Sequence, residues 1–212
     1  MSKKNNELPH LQQQIVHCVE KAESIAQTEW VVVIVPQSEK YYQAHILSGL
    51  SLFGIALITL LFIPVELHEE YILLVSALCF GIGYLLSKIF SGITKLFMGK
   101  KMMEKIVELH TLASFQKSNL HHTTHRNAVL FYFSVLEKQA VVVADKGITD
   151  KFSTQAWQEL EYKANQVFER SYTKTIKNII EFLKQEMHVF AQYLPVQQEY
   201  SLNEIPNQVT IL

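Results

Sequence analysis

Several chemistries are excluded by what this sequence lacks. It has two cysteines, Cys18 and Cys79, far apart and with Cys79 inside an apolar run, so neither a disulfide framework nor a paired-cysteine metal knuckle is expected. Basic surplus is missing too: a net charge of -1 argues against a dedicated nucleic-acid binder, which needs a basic surface to neutralise phosphates, and no nucleic-acid partner is expected. There is no Gly-rich phosphate loop, no G-x-S-x-G elbow and no HExxH, and Gly81-Ile82-Gly83 lies within an apolar stretch where small residues serve helix packing. Internal repeats and low-complexity stretches are also absent.

The most informative absence is local. Residues 46–65, ILSGLSLFGIALITLLFIPV, contain no charge, and as a helix at 1.5 Å per residue they span a hydrocarbon core of roughly 30 Å. A second run over residues 71–90 carries one charge, Lys88, close enough to its end to snorkel into the headgroups. Between them Glu66-Leu67-His68-Glu69-Glu70 suits a tight turn. The spacing therefore predicts a transmembrane helical hairpin over residues 45–92. A chain of 212 residues is too small to wrap two fully apolar helices inside a soluble core. A transporter is not expected, because the first run has no ionisable residue.

Lysine placement sets the expected orientation. Lys40 precedes the first run and Lys88, Lys95, Lys100, Lys101 and Lys105 end or follow the second, while the turn has neither Lys nor Arg. Both termini are expected in the cytoplasm of a multi-pass inner-membrane protein. Ile93, Leu96, Phe97 and Met98, interspersed with these lysines, read either as an interfacial segment or as an exit linker.

The flanks read as a water-soluble α/β domain, with residues 1–44 as its first part, 93–195 as its second and 196–212 as a polar tail. Leu11, Ile15, Cys18, Val19, Ala22 and Ile25 recur at helical spacing over residues 10–27. WVVVIV, residues 30–35, is a β-branched run of the kind buried on both faces, and Pro36 stops it. One helix and one strand form no core, so the partners of this strand must lie beyond the hairpin. After a helix over residues 101–117, AVLFYFSV (residues 128–135) and QAVVVA (139–144) predict two strands joined by Leu136-Glu137-Lys138, hence an antiparallel pair. Ser153 is placed to cap the next helix, with Phe152 and Trp157 spaced as a hydrophobic staple. A last helix carries Ile176, Ile179, Ile180, Leu183, Met187 and Phe190. The expected fold is a small mixed sheet covered by helices.

Taken together, these residues resemble the TPM domain family, and within it a bacterial membrane branch in which a two-helix hairpin interrupts the domain. The resemblance rests on Glu23 and Thr28-Glu29 before the valine-rich strand and on Leu120-His121 with Thr123 before the paired strands. Asp145-Lys146-Gly147-Ile148, Trp157 and Asn203-Glu204-Ile205-Pro206 match as well. Ala128 departs from the pattern, which has glycine there. The resemblance implies a TPM-like α/β sandwich interrupted by the hairpin. For the wider family, phosphatase activity and divalent-ion binding have been proposed in some members.

Read for chemistry, His121, His122 and His125 precede one strand while Asp145 ends its neighbour. His121 and Asp145 are thus the candidate ligands for a divalent cation, zinc or another transition metal by donor type. Asp145 equally fits a turn residue bonding nearby backbone N–H groups. Glu29 and Glu137 flank strands, where glutamate usually faces solvent. No nucleophile with its base can be picked out. The expected function is a binding or assembly-assisting module for other membrane proteins, held at the cytoplasmic face of the bilayer; the alternative is a divalent-metal-dependent hydrolase of phosphatase type.

Overall fold

The computed structural model of the chain describes residues 2–63, 68–118, 126–195 and 209–211. The order of elements is α1 (Ser2–Ile25), β1 (Glu29–Val35), α2 (Tyr42–Phe62), α3 (Glu69–Ile89), α4 (Ser91–Met98), α5 (Lys100–Lys117), β2 (Ala128–Ser134), β3 (Gln139–Ala144), α6 (Lys146–Thr149), α7 (Thr154–Asn165), α8 (Tyr172–Tyr193) and β4 (Val209–Ile211). The chain is mostly helical with a small mixed sheet, an α/β arrangement. It divides into two compact units, one of residues 1–38 with 106–212 and the other of residues 39–105.

In the first unit the sheet order is β3-β2-β1-β4. Strands β1 and β2 are parallel, with Glu29 opposite Ala128 and Val35 opposite Ser134. Parallel neighbours cannot be joined by a tight turn, so the whole stretch between them serves as the crossover. Strands β2 and β3 are antiparallel across the expected short turn, in which Lys138 takes φ 55°. Strand β4 pairs in parallel with β1. The residues expected to form a polar tail therefore contribute an edge strand; three residues are too few to show the alternation by which strands are read.

Alternation along the strands sends side chains to two faces. Trp30, Val32 and Ile34 of β1 join Phe131 and Phe133 of β2 in the main core, under α1, α7 and α8. Rings interlock here: Trp30 lies 4.8 Å from Phe131 and 5.2 Å from Phe190, and Phe182 meets both Phe131 and Phe133 edge-on. Burying each such side chain is worth about 1.5–3 kcal/mol. On the opposite face Val31, Ala128 and Leu130 pack with Phe115, and Val35 and Tyr132 with Val107, so α5 covers that side. The cap on α7 forms as its sequence signals: Ser153 Oγ accepts from Ala156 N–H at 3.2 Å, and the Phe152 and Trp157 rings meet at 6.0 Å.

In the second unit, small residues set the approach of α2 and α3. Ala44, Ser48 and Gly49 of α2, and Ser76, Gly83 and Ser87 of α3, are buried. Ser48 Oγ donates to the Gly83 carbonyl at 3.0 Å, and a Cβ added to Gly83 would come within 2.8 Å of the Ser48 carbonyl oxygen. Helix α4 is held to the hairpin by Thr94 Oγ1 donating to the Ser87 carbonyl at 3.0 Å. Large apolar side chains, among them Leu50, Ile55, Ile58, Leu74, Leu78 and Leu85, point outward. Both α2 and α3 are long and apolar enough to cross a membrane.

Candidate functional site

Of the polar residues singled out by the sequence, Glu137 lies in the turn between β2 and β3, whereas Glu29 and Asp145 lie at the opposite edge, where β1 and β2 begin and β3 ends. The backbone ties this edge together. Glu29 N–H donates to the Asn127 carbonyl at 3.1 Å, and Asn127 Nδ2 donates back to the Gln27 carbonyl at 2.9 Å. On the other side of β2, Asp145 N–H reaches the Ala128 carbonyl and Gly147 N–H the Arg126 carbonyl, both at 2.9 Å. Arg126 takes φ 50°, in the left-handed region where a side chain costs roughly 1–2 kcal/mol.

Glu29 is the first residue of β1 and is 3 % exposed, contrary to the expectation that it faces solvent. Strand β2 flanks it on one side, with Ala128 directly opposite. Strand alternation places Glu29 on the α5-covered face with Ala128 beside it and Asp145 beyond. Glu137 is not free either: its Oε1 accepts from Ser38 N–H at 3.0 Å, and its Oε2 accepts from Ser134 Oγ. Ser38 Oγ in turn donates to Ser134 Oγ at 2.8 Å and accepts from Tyr132 OH at 3.3 Å, so this cluster secures the chain just after β1.

Asp145 is the N-cap of α6, its Oδ1 accepting from Lys146 N–H at 2.7 Å. Its Oδ2 is buried without a hydrogen-bond partner among the described residues. His121, His122 and His125 lie outside the described residues, so the pairing of His121 with Asp145 is not on view. Among the described residues no three His, Cys, Asp or Glu side chains are grouped to hold a metal ion. One orphan carboxylate oxygen is a donor a cation accepts, but the described residues do not complete a coordination sphere.

A titratable group that sequence reasoning noticed only as part of a motif is Glu23. Its Oε1 accepts from Trp30 N–H at 3.0 Å, at the start of β1. Burial pushes its pKa up to about 7; the Trp30 hydrogen bond pulls the other way, and the charges of Glu29 and Glu20 raise it further. A carboxyl group that titrates near neutrality beside a second, buried carboxylate can hold or release a proton under ordinary conditions. Nothing in the spacing of α1 distinguishes Glu23 from its solvated neighbours; only its contact with Trp30 does.

A groove lies elsewhere, between α1 and α8, with a volume of about 830 Å³ and a lining that includes Glu7, His10, Lys177, Glu181 and Lys184 around Leu11 and Ile180. Its lining carries charges of both signs.

No family model and no curated protein matches the sequence. The fold is similar to the NMR structure of the BA42 protein from the psychrophilic bacterium Bizionia argentinensis, with a TM-score of 0.52 and 15% identity. That match covers 95% of this chain and 92% of the other. At such identity the likeness concerns the fold alone.

Proposed function

We propose that the chain is a membrane-anchored binding or assembly-assisting module, in which the α2–α3 hairpin crosses the bilayer and holds a TPM-like domain at its cytoplasmic face. The observation that carries this is the hairpin's outward surface. The most apolar stretches of α2 and α3 are 11% and 17% buried, whereas helices at the centre of a soluble core would be mostly enclosed. Hydroxyls on these helices are also satisfied internally, as hydrocarbon requires. Ser51, Thr59 and Ser76 bond to carbonyls of their own helices at 2.7–2.8 Å, and Ser87 Oγ lies 3.0 Å from His45 Nδ1.

A binding role draws support from α5. Leu109 and Leu112 are 65% and 51% exposed, and they are the only large aliphatic side chains so exposed among the described residues of the first unit. Three residues apart, they form a short stripe on one helix face, the kind of anchor a partner helix can cover. A photo-reactive residue at Leu112 should crosslink to a membrane protein in native membranes, and the same residue at Lys151 should not. Equal crosslinking at both positions, or none at Leu112, refutes the binding role.

A second reading, a divalent-metal-dependent hydrolase using Asp145 with His121, is favoured by one observation, the buried Asp145 Oδ2 that lacks a hydrogen-bond partner among the described residues. Zinc or manganese should then raise the melting temperature and Asp145→Asn should abolish the gain, since a ligand bound only by the folded state shifts unfolding. An unchanged melting temperature removes this reading.

A further inference from the structure

We infer that α4 and the first turn of α5 form a contact surface for anionic phospholipid headgroups; this rests on the membrane reading of the hairpin. The argument starts from where α4 must lie. Helix α3 ends at Ile89 and α4 begins at Ser91, so a single residue separates the end of the apolar span from the start of the next helix. If α3 reaches the edge of the hydrocarbon, α4 sits at the depth of the headgroups. It does not swing free, because buried Thr94 bonds to the Ser87 carbonyl and fixes which side of α4 meets the hairpin.

The opposite side presents Leu96, 79% exposed. A leucine so exposed at headgroup depth fits the boundary with the acyl chains. Gly99, with φ 69°, then ends α4 and α5 starts in a new direction at Lys100. Around this bend the charges have one dominant sign: Lys95, Lys100, Lys101 and Lys105 against Glu104, which pairs with Lys100 at 3.7 Å. Lysine stems bury along apolar surface while their ammonium groups reach for phosphate. At the other end of the hairpin the described charged residues are Glu69 and Glu70, so attraction to anionic lipid is confined to one leaflet. Direct continuity with the span favours lipid over an acidic protein as the occupant.

The test uses the full-length chain, with Cys18→Ser and Cys79→Ala, reconstituted into phosphatidylcholine–phosphatidylglycerol vesicles. A fluorophore attached at Leu96→Cys is read for quenching when either lipid alone is brominated. Quenching should be stronger with brominated phosphatidylglycerol, by a lipid preference of at least about fivefold, the ratio that about 1 kcal/mol from a single lysine gives. Replacing Lys95, Lys100, Lys101 and Lys105 together by Gln should bring the preference to unity and leave the quenching by phosphatidylcholine in place. The same fluorophore at Ile58→Cys reports whether the hairpin is inserted. Quenching at Ile58→Cys without quenching at Leu96→Cys overturns the inference and leaves the membrane reading standing. Equal quenching by the two lipids at Leu96→Cys, or a preference that survives the lysine replacements, overturns it as well. Absence of quenching at Ile58→Cys overturns both.

Discussion

Glu23→Gln isolates the carboxyl group beneath Trp30. Glutamine keeps an acceptor for the Trp30 N–H, so the substitution removes the titration and little else. In the folded chain Glu23 has a pKa of about 7 against an ordinary value of 4.5, with burial as the main cause. Between these values the folded protein holds a proton that the unfolded chain has released. Stability therefore falls as pH rises from about 4.5 to 7 and stays at the lower level above that window. Each pKa unit corresponds to about 1.4 kcal/mol. The group is partly open to solvent, so screening reduces the effect to about 1–2 kcal/mol. At pH 5 wild type and Glu23→Gln should melt alike. At pH 8 the variant should melt about 2–8 °C higher, as followed by tryptophan fluorescence of the full-length protein in micelles. Parallel melting curves from pH 5 to pH 8, or a variant that is less stable at pH 8, would refute the reasoning.

Gly83→Val should separate α2 from α3, because its Cβ would meet the Ser48 carbonyl, whereas Gly81→Ala should be silent, since nothing lies within 4 Å of that position; cysteine crosslinking between Ala44 and Ser87 in membranes reads the difference. Ser153→Ala should cost about 1 kcal/mol in a denaturant titration by removing the α7 cap, and Ser153→Gly less. Topology is open to labelling in a background without Cys18 and Cys79: Glu69→Cys should react with an impermeant thiol reagent in intact cells, and Ser2→Cys should not.

Much of the fold was legible because its signals are local. The β-branched run of β1 and the turn residues between β2 and β3 announce themselves in a window of a few residues, as do Ser153 with its flanking staple and the charge-free stretch of α2. Elements whose existence depends on distant partners were not legible. Strand β4 is three residues long and is a strand by virtue of β1 beside it. The candidate site was legible as a set of residues but not as an arrangement. Asp145 fits either a turn residue or a ligand by sequence, and its backbone-capping role is visible in α6 while His121 falls outside the described residues. The burial of Glu29 and the raised pKa of Glu23 arise from the sheet and from Trp30, which no spacing rule reports.

The parallel pairing of β1 with β2 has a consequence for how the chain is made. Glu29 waits for Ala128, and at ordinary rates of synthesis the ribosome needs on the order of ten seconds to deliver one after the other. During that interval the hairpin emerges first, while WVVVIV stays unpaired with its N–H and C=O groups open to any strand. If α2 and α3 cross the bilayer as proposed, their insertion precedes closure of the sheet, and β1 pairs only once the second half of the domain has been made. A hairpin that failed to insert would leave an exposed, strongly apolar strand in the company of two apolar helices, and aggregation of the nascent chain, rather than loss of a finished domain, would be the first sign of the defect.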